Sequence, residues 1–200
     1  MPYLAWSDFL ARVAAGQVVS FPTDTVPALA TRPEAGAAIF AVKQRSPDKP
    51  LILMGAQWAD LEPYVAGSAA QREQWQALAD QYWPGALTLV LPASERVPAV
   101  LHPQDPRTIG LRVPALAIAR DLLAATGPLA TTSANRSGEP PLATLAAIAA
   151  AFPEVGVLAA PPLEATQALG SGLPSTVVKW TAAGWQVLRQ GSVNFPTATG

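Results

Sequence analysis

Short apolar runs that stop at clusters of hydroxyl, amide and charged residues constrain this chain more than any other feature. They fall at 18–21, 51–54, 87–91, 108–113 and 129–132. Runs this brief, rich in Val, Ile and Leu and bounded by Pro or Gly, read as buried strands. Two later runs, 175–179 and 185–188, read as strands paired across 181–184. Elsewhere the apolar spacing is helical. Ser7 is the expected cap of a helix carrying Leu10, Val13 and Ala14 on one face, with Gly16 as its stop. Further helices are expected at 35–43, at 69–82 with Trp75, Leu78 and Tyr82 in step, at 116–125, and at 144–152 behind Thr144. Alternating strands and helices with a β-rich end specify an α/β domain with a twisted, mixed sheet.

That architecture needs one large core, and the composition supplies it. Of 200 residues, 50% are apolar and 14% charged, which excludes a disordered chain. The 21 prolines and 14 glycines are spread out as many short connections rather than gathered into a linker. One domain over 1–193 is expected, followed by a loose tail at 194–200 that shows no core pattern. The net charge is −1, from 13 basic and 14 acidic side chains, without the basic excess of a protein built to grip a phosphate backbone. There is no cysteine, hence no disulfide, thiolate nucleophile or cysteine metal site. The single histidine, His102, lies in a polar loop; it rules out a histidine triad, argues against zinc and is given no catalytic role. The opening MPYLAWSDFL lacks the basic-then-apolar order of a secretory signal. No apolar run nears the ~20 residues of a membrane span. A cytoplasmic protein without a membrane partner is expected.

In α/β folds ligands bind in the crevice beyond the strand ends, and four polar clusters stand at such places. Pro22-Thr23-Asp24-Thr25 follows the first run; taken alone it is foremost a turn braced by side-chain bonds. Lys43-Gln44-Arg45-Ser46-Pro47-Asp48-Lys49-Pro50 concentrates cations in a proline-stiffened loop. It suits a polyphosphate or carboxylate, and equally a solvated helix end opposing the macrodipole. The stretch from Thr131 through Ser133, Asn135 and Arg136 to Gly138 offers a polar lip for ribose, phosphate or amino-acid groups, though in isolation it reads as an ordinary strand-to-loop transition. Gly170-Ser171-Gly172 before Ser175, together with Arg189-Gln190-Gly191, lets backbone approach a ligand closely. No Walker or dinucleotide-binding glycine pattern is present. The tryptophans show no interleaving with basic residues and read as packing.

Taken together and in this order, the segments SFPTDTV, AVKQRSPDKPLIL, PGALTLVL, TIGLRVP, LATTSANRSGEP, STVV and VLRQGS resemble the YrdC-like family of threonylcarbamoyl-adenylate synthases. Each motif is weak alone; the ordered set, with Lys43-x-Arg45 and Ser133-x-Asn135, is specific and runs from Val18 to Ser192. The resemblance implies a YrdC-like α/β domain with a concave, positively charged pocket over a twisted sheet, in single-domain form. It implies a nucleotidyltransferase that takes L-threonine, bicarbonate or carbon dioxide, and ATP with magnesium, and releases pyrophosphate. No prosthetic group and no protein metal ligand are implied. A separate transferase complex would then move the threonylcarbamoyl group to tRNA. By the family pattern Lys43 and Arg45 face the triphosphate and the anionic intermediate as catalytic cations. Thr108, Asn135 and Arg189, with Lys49 in the same loop as Lys43, are expected at ATP. Thr23, Arg112, Ser133 and Ser175 are expected at threonine.

Two departures bear on the amino-acid pocket. Many relatives place Tyr-Gly where Pro27 and Ala28 stand, and some place a histidine where Met54 stands. These keep open a divergent paralogue acting on another amino acid or carbamoyl compound. An RNA-binding module, or a synthase with weak RNA binding, is a further reading, which the near-neutral charge disfavours.

Overall fold

The computed structural model of the chain describes residues 3–44, 46, 49–102, 104–159 and 163–196. Its centre is a ten-stranded mixed sheet in the order β1-β8-β2-β3-β7-β4-β6-β5-β9-β10. The strands are β1 (Tyr3–Leu4), β2 (Val19–Phe21), β3 (Ala28–Thr31), β4 (Ile52–Met54), β5 (Leu87–Pro92), β6 (Thr108–Arg112), β7 (Leu129–Ser133), β8 (Gly156–Leu158), β9 (Thr176–Thr181) and β10 (Gly184–Arg189). Pairs β1/β8, β2/β8, β4/β6 and β5/β9 are parallel; β2/β3, β3/β7, β4/β7, β5/β6 and β9/β10 are antiparallel. The expected β9/β10 hairpin forms, with Gly184 at φ 98° in its turn.

The helices are α1 (Trp6–Ala14), α2 (Ala37–Lys43), α3 (Trp58–Leu61), α4 (Ala69–Tyr82), α5 (Ala117–Thr126) and α6 (Leu145–Ala151). Local chemistry explains their ends. Ser68 and Gln71 form a reciprocal capping box at α4, and the Thr144 hydroxyl accepts from the Ala147 amide at α6. Gly16, at φ 70°, follows α1. Ser7 does not cap α1: the helix starts one residue earlier, behind Ala5, whose methyl makes no cap bond.

Alternation along the central strands decides which face of the sheet is closed. Leu51, Leu53, Leu87, Leu89, Leu91, Ile109 and Leu111 enter one core with Ile39 of α2, Trp75 of α4 and Ile148 of α6. Each fully buried Leu or Ile contributes about 1.5–3 kcal/mol from apolar burial. The residues between them, including Ile52, Thr88, Val90, Thr108 and Gly110, point the other way. A second core on that side joins Phe9 and Val13 of α1 and Leu122 and Leu123 of α5 to Val19, Phe21 and Leu129. It covers only part of the face; the rest is open as a hollow.

Three strands differ from the sequence reading. Ala28–Thr31 forms β3 although ALAT carries only one large apolar residue, because a strand buried between two neighbours needs little side-chain bulk. The short edge pieces β1 and β8 have too few residues to show a period. The expected loose end at 194 also differs: Phe195 is buried, its ring 5.7 Å from that of Tyr82, so the core extends past 193. Residues 197–200 lie outside the described residues.

Candidate active site

The open face is lined, strand by strand, by alternate residues: Ala28 of β3, Thr131 and Ser133 of β7, Ile52 and Met54 of β4, Thr108, Gly110 and Arg112 of β6, Thr88 and Val90 of β5, and Val177 and Lys179 of β9 after Ser175. The cavity measures about 610 Å³, within the usual range for small-molecule sites. Gly110 sits at the middle of the floor, where a Cβ would lie 2.6 Å from Ile52 Cγ2, so a side chain there collides with the next strand.

One end of the hollow is built around Arg112. Its side chain is 3% exposed and pairs with Asp24, Nη2 to Oδ2, at 2.8 Å. Nη1 donates to Thr25 Oγ1 at 2.7 Å, and Nε donates to the Gly85 carbonyl at 3.0 Å. Burial lowers its pKa from the ordinary arginine value, and Asp24 opposes the shift, so the group stays charged. The other oxygen of Asp24 accepts from the Ala115 amide at 2.8 Å. Asp24 and Thr25 are held by the turn between β2 and β3, and that turn is self-bonded. Thr23 Oγ1 donates to the Val26 carbonyl at 2.7 Å and accepts from the Thr25 amide at 3.2 Å. Amides of Ser171 and Gly172 clasp the carbonyls of Asp24 and Thr25. At Gly170, φ 67°, a Cβ would stand 2.4 Å from the Thr25 carbonyl oxygen, which is why glycine is needed there.

Ser175 and Arg189 adjoin this end. Ser175 Oγ lies 2.8 Å from Thr88 Oγ1, and Arg189 donates from Nε and Nη2 to the Ser175 carbonyl at 3.2 and 2.8 Å. Burial lowers the pKa of Arg189. Thr176 Oγ1 accepts from the Gly191 and Val193 amides, which fixes the strand carrying Arg189 against β9. Pro27, Ala28 and Met54 line the hollow with Val26 and Ile52 as an apolar wall; Met54 pairs in register with Arg112.

Lys43 stands behind the floor rather than in it. It is 2% exposed, and its ammonium donates to the Ser133 carbonyl at 2.5 Å and to Thr132 Oγ1 and Asn135 Oδ1 at 3.3 Å. Asn135 also accepts from Ser133 Oγ at 2.5 Å, and its amide donates to the carbonyls of Arg136 and Glu139 at 2.8 and 2.7 Å. The loop after β7 is thus pinned by a buried cation from α2.

At the opposite rim stand His102, Asp105, Thr108 and Lys179. Asp105 accepts from Arg107 Nε at 3.1 Å and from Thr108 Oγ1 at 3.5 Å; Lys179 Nζ is 3.9 Å away. The Arg107 hydrogen bond holds the Asp105 carboxyl below its ordinary range. Burial lowers the His102 pKa against the pull of Asp105, and among the described residues its buried Nδ1 has no hydrogen-bond partner.

Of the residues singled out from sequence, Thr108, Arg112, Ser133, Asn135, Ser175 and Arg189 converge on the hollow. Thr23 and Lys43 lie behind it, as its supports, and Lys49 is exposed outside it. Arg45 lies outside the described residues. The expectation of a positively charged pocket meets a mixed lining, in which Arg112, Lys179 and Arg189 stand with Asp105 and Glu139. Thr25 lay in a cluster singled out from sequence, but Thr88 and Lys179 did not. Their signal was present: both stand at polar positions inside apolar strands, Lys179 four residues after Ser175 and Thr88 in the run LTLVL.

The family model described as "Telomere recombination", for Sua5, YciO and YrdC, matches residues 11–191. The chain is 38% identical over 157 residues to a threonylcarbamoyl-AMP synthase of Chromohalobacter salexigens, covering 76% of this chain and 82% of the relative. Its fold is similar to that of P. abyssi Sua5 complexed with L-threonine, with TM-score 0.80 and 32% identity over 91% of this chain and 52% of that one. The fold of E. coli YciO is also similar, with TM-score 0.78 at 23% identity, over 96% and 95% of the two chains.

Proposed function

Because the chain belongs to the Sua5/YciO/YrdC family, we propose that it is a threonylcarbamoyl-AMP synthase. It takes L-threonine, bicarbonate or carbon dioxide, and ATP, and releases pyrophosphate. The observation that carries this reading is the convergence of Thr108, Arg112, Ser133, Asn135, Ser175 and Arg189, from elements far apart in sequence, on one hollow.

The amino acid is assigned to the Arg112 end. Arg112 has N–H groups beyond those given to Asp24, Thr25 and Gly85, and Ser175 adjoins this end as a hydroxyl partner, with Ser133 further along the same hollow. The wall of Val26, Pro27, Ala28, Ile52 and Met54 receives the side-chain methyl. ATP extends over Asn135, Arg189 and Thr108. The nucleophile is a carbamate oxygen of N-carboxylated threonine, already an anion, so no protein base generates it. Its attack forms an O–P bond at the α-phosphorus as the bond to the bridging oxygen breaks, and that electron pair leaves with pyrophosphate. The obstacle is repulsion between anions, and preorganised cations and donors lower it. Fixing both substrates in one cavity adds proximity. Lys43 acts through Ser133 and Asn135 as a positioning residue.

Among the described residues no cluster of three His, Cys, Asp or Glu side chains stands ready to hold a metal. Magnesium would enter on the ATP phosphates, where Asp105 or Glu139 of the lining would hold it and it would screen phosphate charge. In this reading the product passes to a transferase complex that moves the threonylcarbamoyl group to tRNA, and the enzyme works in the cytoplasm. Among the described residues no helix is long and apolar enough to cross a membrane.

The test is to incubate the pure protein with ATP, bicarbonate and single amino acids and measure pyrophosphate. Release that needs both threonine and bicarbonate is expected. Release indifferent to either one, or none at all, overturns the reading.

A further inference from the structure

We propose, resting on the synthase reading, that Lys179 is a further substrate-binding residue that takes the terminal phosphates of ATP and then the departing pyrophosphate. Among the described residues, the cations at the hollow are not equally engaged. Lys43 gives its ammonium to Ser133, Thr132 and Asn135; Arg112 is tied to Asp24, Thr25 and Gly85; Arg189 is tied to Ser175. Lys179 lines the same hollow, yet among the described residues its ammonium makes no hydrogen bond. Its one ionic neighbour, Asp105, stands at 3.9 Å, beyond hydrogen-bond reach. All three N–H donors of that ammonium are available to a ligand.

Position selects the ligand. Lys179 follows Ser175 by four residues on the strand side of β9, so the two are separated by roughly 13 Å at about 3.3 Å per residue. An amino acid held between Arg112 and Ser175 is too short to reach Lys179, whereas a triphosphate leading away from that end is long enough. Thr108 lies on the Lys179 side, four residues from Arg112 along β6, and faces the same hollow.

Asp105 makes the arrangement reversible. It is also held by Arg107 at 3.1 Å, so its charge stays compensated when Lys179 turns to a phosphate. The contact it loses is long and a third exposed, hence weak. After the O–P bond to the α-phosphorus has formed, pyrophosphate is left on a partly exposed cation at the rim, from which it can exchange with water.

Calorimetric titration of the intact protein with ATP, pyrophosphate, AMP and threonine tests this. In Lys179→Met, which keeps the aliphatic stem, ATP and pyrophosphate are expected to bind about tenfold more weakly, with AMP and threonine unchanged. Lys179→Arg is expected to restore pyrophosphate binding. Unchanged pyrophosphate affinity in Lys179→Met overturns the proposal, as does a parallel loss for AMP and threonine, which marks a distorted site. The synthase reading fails separately, if the wild-type protein shows no threonine- and bicarbonate-dependent pyrophosphate release. Wild-type protein that binds neither ATP nor pyrophosphate overturns both.

Discussion

Arg112 and Lys179 face the same hollow from its two ends, yet they are held in opposite ways. The Arg112 side chain is 3% exposed and meets Asp24 at 2.8 Å, whereas that of Lys179 is 33% exposed and meets Asp105 at 3.9 Å. Removing one partner of a buried pair costs about 3–5 kcal/mol, because the other charge is left without compensation. An exposed pair contributes roughly 0–1 kcal/mol. The first end is therefore preorganised and serves fold and binding together. The second is free to exchange partners, which suits a group that must hold a substrate fragment and release it.

Substitutions can break this contrast. The largest effect is expected from Arg112→Ala: loss of pyrophosphate release and about 3–5 kcal/mol of stability in urea unfolding, since Asp24 stays behind. A loss under about 1 kcal/mol would remove the distinction between the two ends. Lys43→Met is expected next. The Ser133 carbonyl and Asn135 amide oxygen lose a buried donor, at about 1–3 kcal/mol, and the loop after β7 loosens, so turnover falls together with the unfolding midpoint. Full turnover in that variant would show that Lys43 positions nothing.

Gly191→Ala sharpens the middle ground. A Cβ there would stand 2.2 Å from the Pro174 carbonyl oxygen and 2.6 Å from that of Ser175, the group Arg189 grips. A rise of about tenfold in KM for ATP is expected, roughly the 1–2 kcal/mol of a displaced charged hydrogen bond, with a smaller change for threonine. Lys179→Met should leave the unfolding midpoint within about 0.5 kcal/mol of wild type, the usual range for a surface position. The smallest effect concerns pH. His102 is the only histidine, and burial lowers its folded pKa. The unfolded chain then binds the extra proton first, so stability is lost as pH falls from the ordinary histidine value of about 6.5 towards the folded one. In His102→Gln the thermal midpoint should fall less across that interval; an identical profile would exclude His102 as the source.

Much of the frame was legible because its causes are local. α4 followed from Trp75, Leu78 and Tyr82 at helical spacing, and Thr144 announced α6; the Ser68–Gln71 box that starts α4 was seen only in the structure. β4 to β7 showed as short apolar runs, and the hairpin of β9 and β10 as two runs around a glycine turn. β3 was silent because its burial comes from neighbours on both sides rather than from its own side chains. Ser7 misled because a good capping residue one place into the helix looks the same in sequence as one at its start. At the site, the motifs pointed to Arg112 and Ser175, and both line the hollow. Yet the same motifs made Thr23 look like a contact, although its hydroxyl is engaged within its own turn. They also pointed to Lys43, whose buried ammonium is given to the Ser133 carbonyl.

The sequence by itself determined the α/β class, the periods of strands and helices and the short list of polar residues from which the hollow is assembled, because spacing, capping and turn chemistry act within a few residues. Only the tertiary structure decided which of those residues face the cavity and which stand behind it. Asp24 and Arg112 are 88 positions apart, Lys43 and Asn135 are 92 apart, and Asp105 and Lys179 are 74 apart. The availability of each cation is set by such partners, and strand pairing between distant segments fixes them.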